Sequence, residues 1–319
     1  MKILITGITG LLGSHLAKEF YELGEIHGLR RASSQTNLLG DIADKINWHE
    51  GDINDYQSLE EAFTEMDMII HAAGLVSFSN KDKEKLLKVN CEGTANVVNV
   101  MLEKGIKKLI HVSSVAALGR TPEQNTINEN HKWVDSPWNT PYAISKYFGE
   151  LEVWRGVQEG LQAMVVNPSV LLSKASDQRS STAIYSYVEK ELPFYPKGSL
   201  NYIDIRDAAK LTYMLYQNHC WGERFILNSE SLPYQHFFEV VAEQMDKKAP
   251  KIAVNSTMIN LSLIWSKILG IFGKKNILNK QTAQLAQLHI RFDNSKIERV
   301  LDFRYRPLEE TIKWAVNKK

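Results

Sequence analysis

The feature that most constrains this chain is Thr6-Gly7-Ile8-Thr9-Gly10-Leu11-Leu12-Gly13, which follows the apolar run Lys2-Ile3-Leu4-Ile5 and opens a stretch with helical spacing. A glycine-rich turn carries meaning only in that strand-to-helix context. There Gly7 permits the tight turn, Gly10 lets backbone amides approach a pyrophosphate, and Gly13 lets the helix pack closely on the sheet. The helix N-terminus adds positive potential. Placed at the first strand, the segment reads as a dinucleotide-binding turn rather than an ordinary loop, with Thr9, Leu11 and Leu12 between its glycines.

The rhythm behind this turn defines the fold class. Apolar runs at Lys2 to Thr6, Glu25 to Leu29, Ile46 to His49, Met68 to His71, Lys108 to Ser113 and Ala163 to Asn167 read as strands. Between them lie helical stretches, several closing on glycine at Gly24, Gly105 and Gly160. Such alternation over some 170 residues implies right-handed crossovers and a parallel sheet covered on both faces, a doubly wound α/β domain. After Pro168 the strands thin out. Residues 1–170 are expected to form the dinucleotide-binding domain, rejoined by about 201–228, with 171–200 and 229–319 forming a smaller, mostly helical substrate lobe interwoven with it.

Composition narrows the partners. Lys and Arg total 38 against 37 for Asp and Glu, so no electrostatic reason exists to expect nucleic acid. Cys91 and Cys220 are the only cysteines and form no metal-ligand spacing, so no metal is expected. The N-terminus lacks the marks of a signal peptide, and a cytoplasmic location is the expectation. Met258 to Phe272 is largely apolar but is interrupted by Asn260, Ser262, Ser266 and Lys267. A spanning helix needs about 20 apolar residues, so this segment reads either as a packed amphipathic helix or as a membrane-surface or partner-binding face, without stable insertion.

At the end of the second strand, where an acidic residue would hold the ribose 2′-hydroxyl of NAD, stand Leu29-Arg30-Arg31. A guanidinium grips a 2′-phosphate that a carboxylate would repel, so Arg30 favours NADP over NAD unless both arginines are solvated surface charges. Asp52, with Ile53, is placed either to meet the adenine amino group or to cap the helix beginning near Asp55.

Thr140-Pro141 fits a helix start, Thr140 as cap and Pro141 at the first position. Tyr142 opens that helix and Lys146 follows four residues later on the same face, the spacing for an ammonium to act on a phenol. A nearby positive charge lowers a tyrosine pKa and makes a usable proton donor. Alone the pair is weak, because an amphipathic helix produces it by chance. Ser113-Ser114, ending the fifth strand, strengthens it: Ser114 is placed to hydrogen-bond a substrate oxygen, while Ser113 reads as a cap on the departing backbone.

Together these segments resemble the extended short-chain dehydrogenase/reductases, a superfamily that includes NAD-dependent epimerase/dehydratases, dihydroflavonol-reductase-like and 3β-hydroxysteroid-dehydrogenase-like enzymes. The resemblance spans essentially the whole chain and rests on the glycine turn, Asp52-Ile53, His71-Ala72-Ala73-Gly74, Val89-Asn90-x-x-Gly93-Thr94, Ser113-Ser114, Tyr142-x-x-x-Lys146 and Asn167-Pro168. It implies a Rossmann-type domain, Tyr142 as acid or base, Lys146 on the nicotinamide ribose, and Ser114 on the reacting oxygen. It further implies that Ala72, Ala73 and Gly74 line the cofactor channel, that Asn90 steadies the fold near the site, and that Ser113, Asn167, Pro168 and Ser169 border the cofactor. For His71 and Asn90 a hydrogen-bonded core role is an equal reading. The resemblance also implies a homodimer through helices near Asn90 to Glu103 and Tyr142 to Gln158.

The chain departs from the family at two places. Leu172-Ser173-Lys174 replaces a common Gly-Pro pair, and Leu200-Asn201 stands where nucleotide-sugar members carry Arg-Asp. Both the latter and Arg30 point toward an NADP(H)-dependent oxidoreductase that reduces a ketone or aldehyde of a small organic substrate. The alternatives are an NAD-dependent sugar-nucleotide epimerase/dehydratase and a non-catalytic NADP-sensing protein. The stretches Leu75 to Asn80 and Arg120 to Asn139, with Trp133 and Trp138, are expected to border the substrate.

Overall fold

A strand buried on both faces must be apolar at every position, and Ile3, Leu4 and Ile5 are each wholly excluded from water. In the computed structural model, which describes residues 1–121, 124–175, 183–255 and 280–317, they form β1 (Lys2–Thr6). Around it a parallel sheet has the strand order β11-β7-β5-β4-β1-β2-β3. Its other strands are β2 (Glu25–Arg30), β3 (Asn47–Glu50), β4 (Met68–His71), β5 (Lys108–Val112), β7 (Gln162–Pro168) and β11 (Arg224–Leu227). The six runs anticipated from sequence all enter this sheet, two with the same limits and four with limits shifted by one residue. The seventh strand, β11, comes from beyond residue 200 and pairs with β7.

Helices cover both faces. On one, α1 (Leu11–Phe20) and α7 (Ile205–Gln217) pack Leu12, Leu16, Phe20, Leu211 and Leu215 onto Ile3, Ile5, Ile70 and Ile110. On the other, α2 (Tyr56–Ala62), α4 (Gly93–Glu103) and α5 (Pro141–Gln158) pack Leu59, Val97, Met101 and Val153 onto Leu4, Ile69, Leu109 and Val165. The sequence separates these sets because alternate strand residues point to opposite faces. From β1 the chain runs outward through β2 and β3 and then crosses to β4 on the other side. The strand order therefore reverses between β1 and β4, the place where open α/β sheets bind ligands.

A second core holds Tyr202, Phe237, Phe238, Leu232 and Ile312. It is built on a three-stranded sheet of β8 (Val170–Leu172), β10 (Ser199–Asp204) and β12 (Glu230–Pro233), with α6 (Ala183–Glu189) and α8 (Tyr234–Met245). The helices of this part thus pack on a small sheet of their own. Of the returning stretch 201–228, β10 joins this small sheet, whereas α7 and β11 return to the large one. Short strand β6 (Thr126–Ile127) pairs with β14 (Arg291–Phe292), tying the stretch after β5 to the C-terminal part of the chain. The apolar stretch Met258 to Phe272 lies outside the described residues. Among the described residues no helix is long and apolar enough to cross a membrane.

Two imidazoles stand side by side within the large sheet. His71 and His111 are paired in register on β4 and β5 and almost fully buried. Burial, and secondarily the Lys146 charge, pushes His71 down to about 3 and holds His111 well below the ordinary histidine range. Both are therefore neutral when folded and take up protons on unfolding, so their contribution is complete above pH ~6.5 and is lost as pH falls toward the folded values. Going from pH 7 to pH 5 should cost about 2 kcal/mol per imidazole. Urea unfolding measured at the two pH values tests this, and His111→Leu should reduce the difference by about 2 kcal/mol; an unchanged difference in that variant would refute it.

Candidate active site

The glycine turn adopts the geometry its sequence demands. Gly7 has φ of 69°, in the left-handed region, and a Cβ there would lie 2.5 Å from the Ala73 backbone nitrogen. Gly13 packs directly against the Gly7 carbonyl, so a side chain at either position would force β1, β4 and α1 apart. Gly10 donates its N–H to the Gly7 carbonyl at 2.8 Å and occupies the cap position of α1, where no side chain satisfies the first amides of the helix. Those amides and the helix dipole make a cradle for an anion.

A cavity of about 420 Å³ opens in front of this cradle. Of the sequence-derived cofactor residues, Gly7, Thr9, Gly10, Arg30, Asp52, Ile53, Ala72, Ala73 and Gly74 line it. Leu11, Leu12, Gly13, Asn90, Ser113, Tyr142, Lys146, Asn167, Pro168 and Ser169 are not among its lining residues. Leu12 is core, and Ser169 is turned toward the Leu227 carbonyl, to which both its N–H and its hydroxyl donate. The lining also holds Ser33, Ser34 and Gln35. Sequence reasoning passed over them, although these polar side chains follow Arg30-Arg31 after a single alanine.

The Arg30 guanidinium lies over the Trp48 ring, 4.5 Å from its centroid, and lines the cavity. Arg31 reaches Asp52 at 3.8 Å. Asp52 does not cap the following helix. That role falls to Asp55, whose carboxylate accepts from the Ser58 N–H, while Asp52 Oδ1 accepts from the Asn54 backbone and side-chain amides.

Gly74 joins this cavity to the second cluster, since a Cβ there would sit 3.2 Å from Asn90 Oδ1 and 3.7 Å from Lys146 Nζ. Asn90 lies in a single π-turn, Lys88–Glu92, a local widening often found at functional sites. Its Oδ1 accepts the Leu75 N–H at 2.7 Å, and its Nδ2 donates to the Leu75 carbonyl and to Ser145 Oγ, each at 2.9 Å. One buried amide thus clamps the loop after β4 to α5.

Helix α5 begins as anticipated, with Thr140 Oγ1 accepting the Ala143 N–H at 3.1 Å and Pro141 in the first turn. Lys146 is only 5% exposed and donates from Nζ to the Val112 carbonyl at 2.8 Å. Burial pulls its ammonium down to about 8, with Glu150 opposing. Tyr142 departs from expectation. Burial raises its pKa, and the opposing pull comes from a hydrogen bond with Ser114 and from the Arg120 charge rather than from Lys146. The physical reason is that Lys146 is turned to the β5 carbonyl, leaving Arg120 as the cation facing the phenol.

The serine pair also differs from its sequence reading. Ser114, not Ser113, caps the turn Val115–Leu118 by accepting the Ala116 N–H at 3.2 Å, while Ser113 Oγ is buried with no partner among the described residues. Asn167 donates to the Ser114 carbonyl at 3.0 Å. Around Tyr142 the structure adds Phe78, whose ring meets the tyrosine edge-on at 6.0 Å, and Arg120, which faces both Tyr142 and Tyr234. Tyr234, at the start of α8, carried no sequence signal, because only folding brings residue 234 to residue 142.

A profile of the NAD dependent epimerase/dehydratase family matches residues 3–225, and the chain belongs to that family. It is an enzyme of the extended short-chain dehydrogenase/reductase type, an oxidoreductase working with a nicotinamide cofactor. A Synechocystis protein bearing the name of a dihydroflavonol 4-reductase is 27% identical over 98% of this chain and 93% of its own length. The crystal structure of gox2253 superposes with a TM-score of 0.83 at 26% identity, covering 98% of this chain and 96% of that one. The Bordetella bronchiseptica enzyme WbmH, solved in complex with NAD+, shares the fold with a TM-score of 0.76 at 19% identity over 99% of this chain and 96% of its own.

The Asn90 clamp has a measurable consequence. Asn90→Ala leaves the Leu75 peptide groups and Ser145 without their partner, and urea denaturation should show a loss of about 1–3 kcal/mol. Limited proteolysis should quicken at residues 75–79, and an unchanged cleavage rate there would remove Asn90 from this role.

Proposed function

We propose that this enzyme is an NADPH-dependent carbonyl reductase acting on a small organic ketone or aldehyde. The observation that carries the cofactor preference is Arg30, held on Trp48 at the end of β2, with Ser33, Ser34 and Gln35 around the same cavity and no carboxylate at the end of the strand. Guanidinium and short hydroxyl side chains suit a 2′-phosphate. The uncapped α1 N-terminus suits the pyrophosphate, and the cavity leads past Ala72, Ala73 and Gly74 toward Lys146.

A reduced nicotinamide bound along this path would supply hydride to a carbonyl carbon. The residues of the chain then manage the oxygen. Ser114 donates a hydrogen bond to it and Tyr142 gives up the phenolic proton, with Arg120 stabilising the phenolate that results. Lys146, held by the Val112 carbonyl beside Gly74, holds the ribose edge. Phe78 and Val76, each 49% exposed beside the site, offer an apolar wall, and Arg120 with Tyr234 offers a polar one. The substrate therefore combines an apolar body with a polar oxygen function. The lobe built on β10 and α8 would carry substrate contacts and residues 1–170 the cofactor. A homodimer would use the outer face of α5, where Phe148 and Leu151 are exposed.

The second reading, an NAD-dependent epimerase or dehydratase, draws support from the family itself and from the NAD+ complex of WbmH. In that case NAD copurifies and added NADPH is not consumed.

Tyr142→Phe should lower turnover by about 10²–10⁴ while NADPH binding stays near wild type; full turnover in that variant would end the assignment. Arg30→Ala should weaken NADPH by about 10–100-fold and leave NADH nearly unaffected. Fluorescence titration with both cofactors reads this, and equal losses would place the arginine elsewhere.

A further inference from the structure

Helix α5 carries a third ionisable group in line with Tyr142 and Lys146. Glu150 follows Lys146 by four residues and so lies one turn further along the same face. It is 1% exposed. A carboxylate taken so far out of water requires compensating partners, and two are present. Asn167 Nδ2 donates to Glu150 Oε1 at 2.5 Å, and Arg224 NH1 of β11 lies 3.5 Å from Oε2. The same Asn167 amide donates its other hydrogen to the Ser114 carbonyl.

The groups facing Lys146 make this carboxylate distinctive. Glu150 approaches along α5, the Val112 carbonyl and His111 from β5, and His71 from β4. Both imidazoles are neutral at ordinary pH, and the phenol is protonated. Among the described residues the anion acting on Lys146 is thus Glu150, and Arg224 is the cation that competes for it. Holding α5 against β7 would need no charge: an amide in place of the carboxylate accepts from Asn167 equally well.

We propose that Glu150 is a positioning residue of the reaction: its buried carboxylate keeps Lys146 cationic and, through Asn167, fixes the Ser114 turn opposite Tyr142. Its kinetic consequence rests on the reductase reading, but the charge relation does not. Two variants of the full chain separate this role from a structural pin. Glu150→Gln retains the acceptor for Asn167 and removes the anion, so the Lys146 midpoint should fall by about one pH unit, a tenfold change in its protonation equilibrium. Arg224→Gln removes the competing cation, so the midpoint should rise. NMR titration of protein labelled with [ε-¹³C]lysine, the Lys146 signal identified by its absence in Lys146→Gln, reads both shifts without reference to activity. The alkaline limb of kcat/KM should move in the same opposite directions. Wild-type midpoints in both variants, or shifts of the same sign, would overturn the proposal. Should Glu150→Gln fail to fold, an unchanged midpoint in Arg224→Gln alone does so. Shifted midpoints together with full turnover in Tyr142→Phe would instead strike the reductase reading and leave the charge relation standing.

Discussion

Everything in this molecule depends on a central parallel strand that can have no wet face. With Ile3, Leu4 and Ile5 all sealed from water, both faces of β1 must be covered, and parallel neighbours can be reached only by crossovers long enough to hold a helix. Covering both faces forces the chain to leave β1 in one direction and return in the other. The reversal between β1 and β4 opens a crevice at the carboxyl ends of the strands. The glycine turn stands at its mouth because close packing of α1 on the sheet leaves no room there for side chains.

The same burial governs the electrostatics of the site. Lys146 sits at the C-terminal end of the interior strand β5 with a carbonyl as its hydrogen-bond partner, and its charge reaches two imidazoles that burial has already neutralised. An ammonium in such surroundings loses affinity for its proton, and the chain answers with a carboxylate one turn away. The phenol of Tyr142 meets the opposite problem, since burial resists its ionisation and the compensating cation, Arg120, arrives from a different loop. Acid–base behaviour here belongs to the cluster rather than to any one side chain.

Much of the site was legible in advance because its signals are local. The glycine turn, the arginine ending β2 and the Thr140-Pro141 helix start each lie within a few residues and follow from backbone geometry or helical period, whereas the Tyr142–Lys146 spacing foretold a shared helix and not the charge effect expected of it. The features misread or left open were those in which two nearby residues compete for one role. Ser113 and Ser114 are equivalent until the turn after β5 decides which hydroxyl meets the Ala116 amide. Asp52 and Asp55 compete likewise for one helix cap, and the backbone of residues 52–58 settles it. Asn90 gave no sign that it sits in a π-turn or clamps the loop at Leu75.

By itself the sequence determined the period of burial, and with it the six strands, the crossover helices, the doubly wound sheet and the dinucleotide-binding turn, because alternation and spacing act over a few residues. Tertiary structure alone decided which distant groups share a site: Arg120 and Tyr234 beside Tyr142, Glu150 with Arg224 and Asn167, and β6 pinned to β14. These contacts span tens to hundreds of positions, and no local preference encodes them. They form because packing elements over both faces of the sheet gathers distant loops and helices at the crevice.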